Sequence, residues 1–187
     1  MEQPRKGCAT LVSDEQIIRS VLKGHTDEYR ELMLRYQSQA YRFAYHIVRT
    51  PEEAEDATQE AFIRAYSGLG KCREKSKFWP WLRRIVLNLC LDRLRKEPEE
   101  ELPEELSDAG TVESEVFRRA ELKDIRKAIA GLPNAYRIAI VLRYQEELSF
   151  KEIAGILGES LSAIQVRVHR AKKMLADRLG VARDEIR

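Results

Sequence analysis

Residues 97–117 hold nine Asp/Glu and no Lys or Arg, with Pro98, Pro103 and Gly110 among them. Such a stretch buries too little apolar surface to offset the entropy of ordering it, and its like charges repel. It predicts an acidic, flexible linker over 97–116, which rules out one continuous core. The 187 residues are then expected to form two small domains, at 15–96 and 117–187. Residues 1–14 are left as an N-terminal extension and a candidate for disorder. The charge changes sign at the same places: residues 1–96 carry 18 Lys/Arg against 13 Asp/Glu, and 118–187 carry 15 against nine. The formal net charge of +2 conceals two basic segments around an acidic strip. That pattern suits a polyanion partner for both ends.

Several classes are excluded early. No apolar run approaches the roughly 20 residues of a membrane span, and the first 15 residues lack the apolar core of a secretory signal. A cytoplasmic location is expected. Cys8, Cys72 and Cys90 are an odd number without paired spacing, so free thiols are expected. His25, His46 and His169 are scattered. No Ser/His/Asp or Cys/His constellation, phosphate-cradling glycine loop or metal-spaced cluster stands out, so no catalysis, metal or cofactor is expected.

The periodicity is helical throughout, and the fold class is all-α. Tyr29, Leu32, Met33, Tyr36, Ala40, Phe43, Ala44 and Ile47 recur at three- and four-residue steps. Thr50, Pro51 and Glu53 mark a helix start, and Ala54, Ala57, Ala61, Phe62, Ala65 and Tyr66 should face inward from that helix. Gly68 and Gly70 end it. A further helix is expected from about Phe78 to Lys96, then helices from Glu113 to Ala130 and from Ala135 to Tyr144. No strand is expected.

Residues 149–175 fit a helix-turn-helix. Ser149 and Glu152 form a capping box, Gly158 supplies the sharp turn and Ser160 can cap the second helix. At 100° per residue Ile164, Val168, Ala171 and Leu175 share one side, and Ser162, Val166, His169 and Lys173 lie opposite, flanked by Gln165 and Arg170. Small, amide and basic side chains suit a major groove. An ordinary helical hairpin with a solvated basic face would carry the same pattern. Val166 is either a contact for a thymine methyl or a stray surface valine. The segment Phe78-Trp79-Pro80-Trp81-Leu82-Arg83-Arg84 through Arg95 mixes aromatics with basic residues. That composition fits stacking on unpaired bases, or a core helix with a charged outer face.

These segments together resemble bacterial sigma factors of the extracytoplasmic-function group. Glu53 to Ala65 is similar to that family's region 2.2. Trp81-Leu82-Arg83-Arg84-Ile85, Asn88 and Asp92-Arg93-Leu94-Arg95 resemble regions 2.3 and 2.4. Leu132-Pro133, Arg137 and Ser149 to Leu175 resemble region 4. The match runs in order over roughly 25–96 and 117–178.

The resemblance implies a transcription initiation factor that binds core RNA polymerase and directs it to −35 and −10 promoter elements. It implies that Asp56, Gln59 and Glu60 dock on the clamp helices of the polymerase β′ subunit, and that the second domain meets the β flap. It implies −10 contacts from Lys71, Arg73, Trp81, Arg83, Arg84, Asn88, Arg93 and Arg95. It implies −35 contacts from Ser160, Ser162, Gln165, Val166, His169, Arg170 and Lys173. Asn88 could instead bond to backbone, and Arg93 could pair with a carboxylate of its own domain. An anti-sigma partner, often membrane-bound in that family, and no small-molecule substrate are implied as well.

The chain departs from the family's pattern where Cys72 stands in a loop that often carries an aromatic. Trp79-Pro80 precedes the Trp-Leu pair where small hydroxyl residues are common, and Ala163 replaces a usual threonine. Cys72 is expected to be an exposed thiol rather than a redox switch. The competing reading is a polymerase-independent helix-turn-helix regulator, with 15–96 as a sensor or dimerisation domain.

Overall fold

The computed structural model describes residues 12–96 and 124–180, and among these all regular structure is helical. The linker expected at 97–116 and most of the N-terminal extension lie outside the described residues. Helix α1 (Asp14–Leu22) precedes the long pair α2 (Tyr29–Val48) and α3 (Pro51–Ser67). Two single turns, Leu69–Lys71 and Lys75–Lys77, lead into α4 (Phe78–Lys96). In the second half α5 occupies 124–130, followed by α6 (Asn134–Ile140), a wide turn at Val141–Gln145, α7 (Phe150–Leu157) and α8 (Leu161–Leu179).

Helices α2, α3 and α4 pack against one another, with α1 laid across α2 and the 69–77 turns. The contact is made by the apolar stripes. Leu32, Ala40, Phe43, Ala44 and Ile47 of α2 are buried, as are Ala54, Ala57, Ala61, Phe62 and Ala65 of α3. The small alanines let the backbones approach, and Phe43, Phe78 and Leu82 fill the centre. Tyr36 stacks on Trp79 at 6.2 Å, and Phe43 meets the same indole edge-on at 6.1 Å. In the second half α6 and α7 rest on α8 through Ile138, Ile153, Ile164, Val168, Ala171 and Leu175.

The structure departs from the periodic reading at several places. Met33 and Tyr66, assigned to apolar stripes, are 39% and 43% exposed. Tyr66 instead meets the ring of Tyr29 edge-on at 5.0 Å, on the rim of the core. Thr50 caps α3 in position, but its hydroxyl donates to the Glu53 carboxylate at 2.9 Å and accepts no backbone N–H. Helix α1 begins at Asp14 behind a complete Ser13–Gln16 capping box, one residue before the expected domain boundary.

The helix expected from Ala135 to Tyr144 does form at its start but widens into a π turn at Val141–Gln145. Its signature is the bond from Glu146 N–H to the Val141 carbonyl, 3.2 Å. Wide turns of this kind are frequent at functional sites. Arg143 steadies this one, donating to the Leu148 carbonyl at 2.9 Å and lying 5.0 Å over the Phe150 ring.

Candidate nucleic-acid interface

The helix-turn-helix is built by local chemistry. Ser149 accepts from Glu152 N–H at 3.3 Å, and Glu152 accepts back from Ser149 N–H at 2.8 Å. The Ser149 hydroxyl also donates to the Glu152 carboxylate at 2.6 Å, and this bond, with the one from Ser149 N–H, holds the Glu152 carboxyl below its ordinary value by favouring the charged form. Gly158 ends α7 at φ 70°, a left-handed conformation that a side chain would strain. Ser160 then caps α8 by accepting from Ala163 N–H at 3.2 Å.

Along α8 the predicted division of faces holds. Ile164, Val168, Ala171 and Leu175 are buried, and Ser162, Gln165, Val166, His169, Arg170 and Lys173 are exposed together with Ser160. Val166 is 49% exposed, flush with an open groove lined by Tyr136, Ser162 and Arg170. Arg167, between the faces, grips Glu159 in the turn with both terminal nitrogens, at 2.7 and 2.5 Å. That bidentate pair fixes the entry angle of α8.

In the first half, Arg84, Asn88 and Arg95 lie exposed along the outer side of α4, and Lys71 and Arg73 project from the preceding turns. Arg95 is held by Asp92 at 2.6 Å. Trp81 is half-buried against Phe78, with ring centres 5.9 Å apart. Asn88 is exposed on that side. Arg93 is half-buried and pairs with Glu60 of α3 at 3.5 Å, the carboxylate partner foreseen for it.

Arg83 does not lie on the outer stripe. It is 8% exposed and donates to the Glu146 carboxylate of the second half at 3.0 Å. Trp79 Nε1–H donates to the same Glu146 oxygen at 3.0 Å. Spacing along α4 could not reveal this, because the partner lies 63 residues away.

Asp56 and Gln59 are exposed on the outer side of α3, and Glu60 is half-exposed, paired with Arg64 and Arg93. Ile63 continues that line and is 67% exposed, the most exposed large apolar side chain among the described residues. It was not singled out from sequence. The signal was present, since Ile63 falls a turn beyond Gln59 and outside the Ala54–Ala57–Ala61 stripe.

Cys72 and Cys90 are free thiols, as expected, but Cys72 is not the exposed one expected of it. Cys72 is 2% exposed, its thiol donating to the Glu74 carbonyl at 3.7 Å, and burial pushes its pKa up. Cys90 is fully buried, and burial pushes its thiol up to about 12. Neither is a poised thiolate. Among the described residues no cluster of His, Cys, Asp and Glu is arranged for a metal, and no helix is long and apolar enough to cross a membrane.

Comparison with known proteins agrees with both halves. The family model for Sigma-70 region 2 matches residues 32–99, and that for Sigma-70, region 4 matches residues 122–175. The chain is 34% identical over 176 residues to the ECF RNA polymerase sigma factor SigW of Bacillus subtilis, covering 87% of this chain and 94% of the relative. It is 31% identical over 180 residues to the RNA polymerase sigma-H factor of Pseudomonas aeruginosa, covering 89% and 93%. Its fold is similar to CnrH in complex with the cytosolic domain of CnrY, at a TM-score of 0.61 and 24% identity, covering 89% of this chain and 97% of that one. It is similar also to the sigma factor RpoE in complex with the anti-sigma factor NepR from Bartonella quintana, at 0.64 and 23%, covering 82% and 98%.

Proposed function

This chain belongs to the sigma-70 family as an extracytoplasmic-function sigma factor of transcription initiation, and from that premise we propose how its surfaces divide the work. The outer face of α8 reads the −35 element as duplex: Ser162, Gln165 and Val166 reach base edges, while Ser160, His169, Arg170 and Lys173 meet the backbone. The observation that carries this is the segregation of α8 into a buried apolar stripe and an exposed polar and basic one, behind two formed caps.

The 71–95 surface handles the −10 element after melting. Trp81 stacks on an unpaired base, Asn88 offers a donor and an acceptor, and Lys71, Arg73, Arg84 and Arg95 track the strand. Asp56, Gln59 and Glu60 dock on the β′ clamp helices, with Ile63 as an apolar anchor among them. The second half meets the β flap. The chain works in the cytoplasm, with no catalysis, cofactor or small-molecule substrate of its own. Two of the similar folds are seen in complex with a second protein, one of them a sigma factor with an anti-sigma factor. They support an inhibitory anti-sigma partner here too, membrane-anchored as is frequent in the family.

The test is binding to a labelled −35 duplex, alone and with core polymerase. The proposal expects weak, salt-sensitive binding by the free chain and tight, selective binding by the complex. Equally tight selective binding without polymerase would favour the polymerase-independent regulator.

A further inference from the structure

Beside the outward stripe of α8 lies a groove of about 510 Å³ that α8 does not form alone. Ala135 and Tyr136 of α6 line it on one side, and Ala163, Val166 and Arg170 of α8 on the other. The α6 contribution was not singled out from sequence, because α6 and α8 meet only in the fold.

The position of the groove decides what it can meet. Going round α8 from Val166, the residues Arg170, Ala163 and Arg167 follow in that order, at roughly 40°, 60° and 100° from it. The groove therefore lies on the flank of the stripe that faces α6. A helix is about 10–12 Å across and the major groove about 12 Å wide. With the stripe against base edges, the flanks of α8 face the two sugar–phosphate backbones.

The chemistry of the groove suits that neighbour. Among the described residues neither the Tyr136 hydroxyl nor the Arg170 guanidinium has a hydrogen-bond or ion-pair partner. Ser160 and Ser162, at the same groove, share one hydrogen bond at 3.2 Å, so one of their two hydroxyl protons stays available. No carboxylate lines the groove, and the neighbouring Glu159 is neutralised through both oxygens by Arg167. Donors in excess, with a guanidinium among them, fit an anion. The Ala163 methyl is small enough to leave the way open between Tyr136 and Arg170. The Tyr136 ring is half-buried and packed on the core, so its hydroxyl is presented from a rigid support.

We propose that Tyr136 is a DNA-contacting residue, its hydroxyl donating with Arg170 to a phosphate of the strand that runs along the α6 flank of α8. This role rests on the reading of α8 as the −35 helix, and it makes α6 a second element of that interface. A phosphate contact positions the protein and carries no sequence information of its own. Tyr136 thus sets the register in which Gln165 and Val166 meet the bases.

The test uses core polymerase carrying the full chain, parent or Tyr136→Phe, on −35 duplexes in which single phosphates are replaced by uncharged methylphosphonates. Phenylalanine keeps the packed ring, so the melting temperature of the chain should not move. On unmodified duplex Tyr136→Phe is expected to weaken binding about tenfold, the size of one hydrogen bond to a charged group. A duplex with altered −35 bases should lose the same factor. At one phosphate, or two adjacent ones, the methylphosphonate should weaken the parent and leave the variant nearly unaffected, which is the signature of a direct pair. Arg170→Gln should lower the slope of affinity against salt by about one, whereas Tyr136→Phe, which removes no charge, should leave it unchanged. Parent-like binding by Tyr136→Phe, or losses that simply add at every phosphate, would overturn the contact. A parent complex with no preference for the −35 duplex over a scrambled one would instead remove the −35 reading, and coupling to one phosphate on both duplexes would still hold Tyr136 to DNA.

Discussion

Reversing Asp56 and Glu60 together to arginine is expected to weaken binding to core RNA polymerase by about a hundredfold or more, a loss of the size seen at interface hot spots. Both side chains stand on the outer side of α3, with Gln59 between them and Ile63 one turn on. The polar residues would supply charge complementarity around an apolar anchor. Asp56 has no role in the core to lose. Glu60 pairs with Arg64 and Arg93, but it is 41% exposed, and such pairs contribute little to stability. The helix should therefore stay folded, with circular dichroism and the melting temperature nearly unchanged. Affinity measured by co-elution or anisotropy decides the matter. Undiminished binding by the folded double variant would move the docking face elsewhere.

The largest effect on stability is expected at Arg137. Its side chain is 1% exposed and serves three acceptors: the Ile47 carbonyl, the Leu132 carbonyl and Asn134 Oδ1. Arg137→Ala leaves buried carbonyls unpaired and a cavity behind them, at a cost of about 3 kcal/mol. For a chain of this size that lowers the melting temperature by about 6–12 °C. Arg137→Lys keeps the charge but loses the planar fork, so it should recover only a minor part of the loss. Thermal melts of the three proteins check this. An alanine variant that melts with the parent would show that Ile47 and Leu132 find other partners.

The helix-turn-helix was legible because its determinants are local. Ser149, Glu152, Gly158 and Ser160 act on their own backbones, so spacing alone places them. The α8 faces follow from the same arithmetic. Helix α1 could have been read from Ser13 and Gln16, but only nine residues follow the cap, too short a run for periodicity to stand out.

The rest depended on tertiary structure. The π turn arises where α6 must end against α2 and still pass into α7, a demand that no residue of Val141–Gln145 announces. Tyr66 has the periodicity of a core residue, but α3 reaches the rim of the bundle there and its ring remains partly in water. Cys72 sits among charged neighbours in sequence, yet the turn at Leu69–Lys71 folds it beneath the surface. Arg83 shares the basic character of Arg84 and Arg95, and only the approach of Glu146 separates them.

The most direct test of the central claim is transcription by core RNA polymerase reconstituted with the purified chain on fragmented bacterial genomic DNA, with every transcript 5′ end sequenced. The account predicts 5′ ends that appear only when the chain is added and that share two upstream elements at −35 and −10. Transcripts identical to those of core polymerase alone, from a folded chain free of inhibitor, would contradict it.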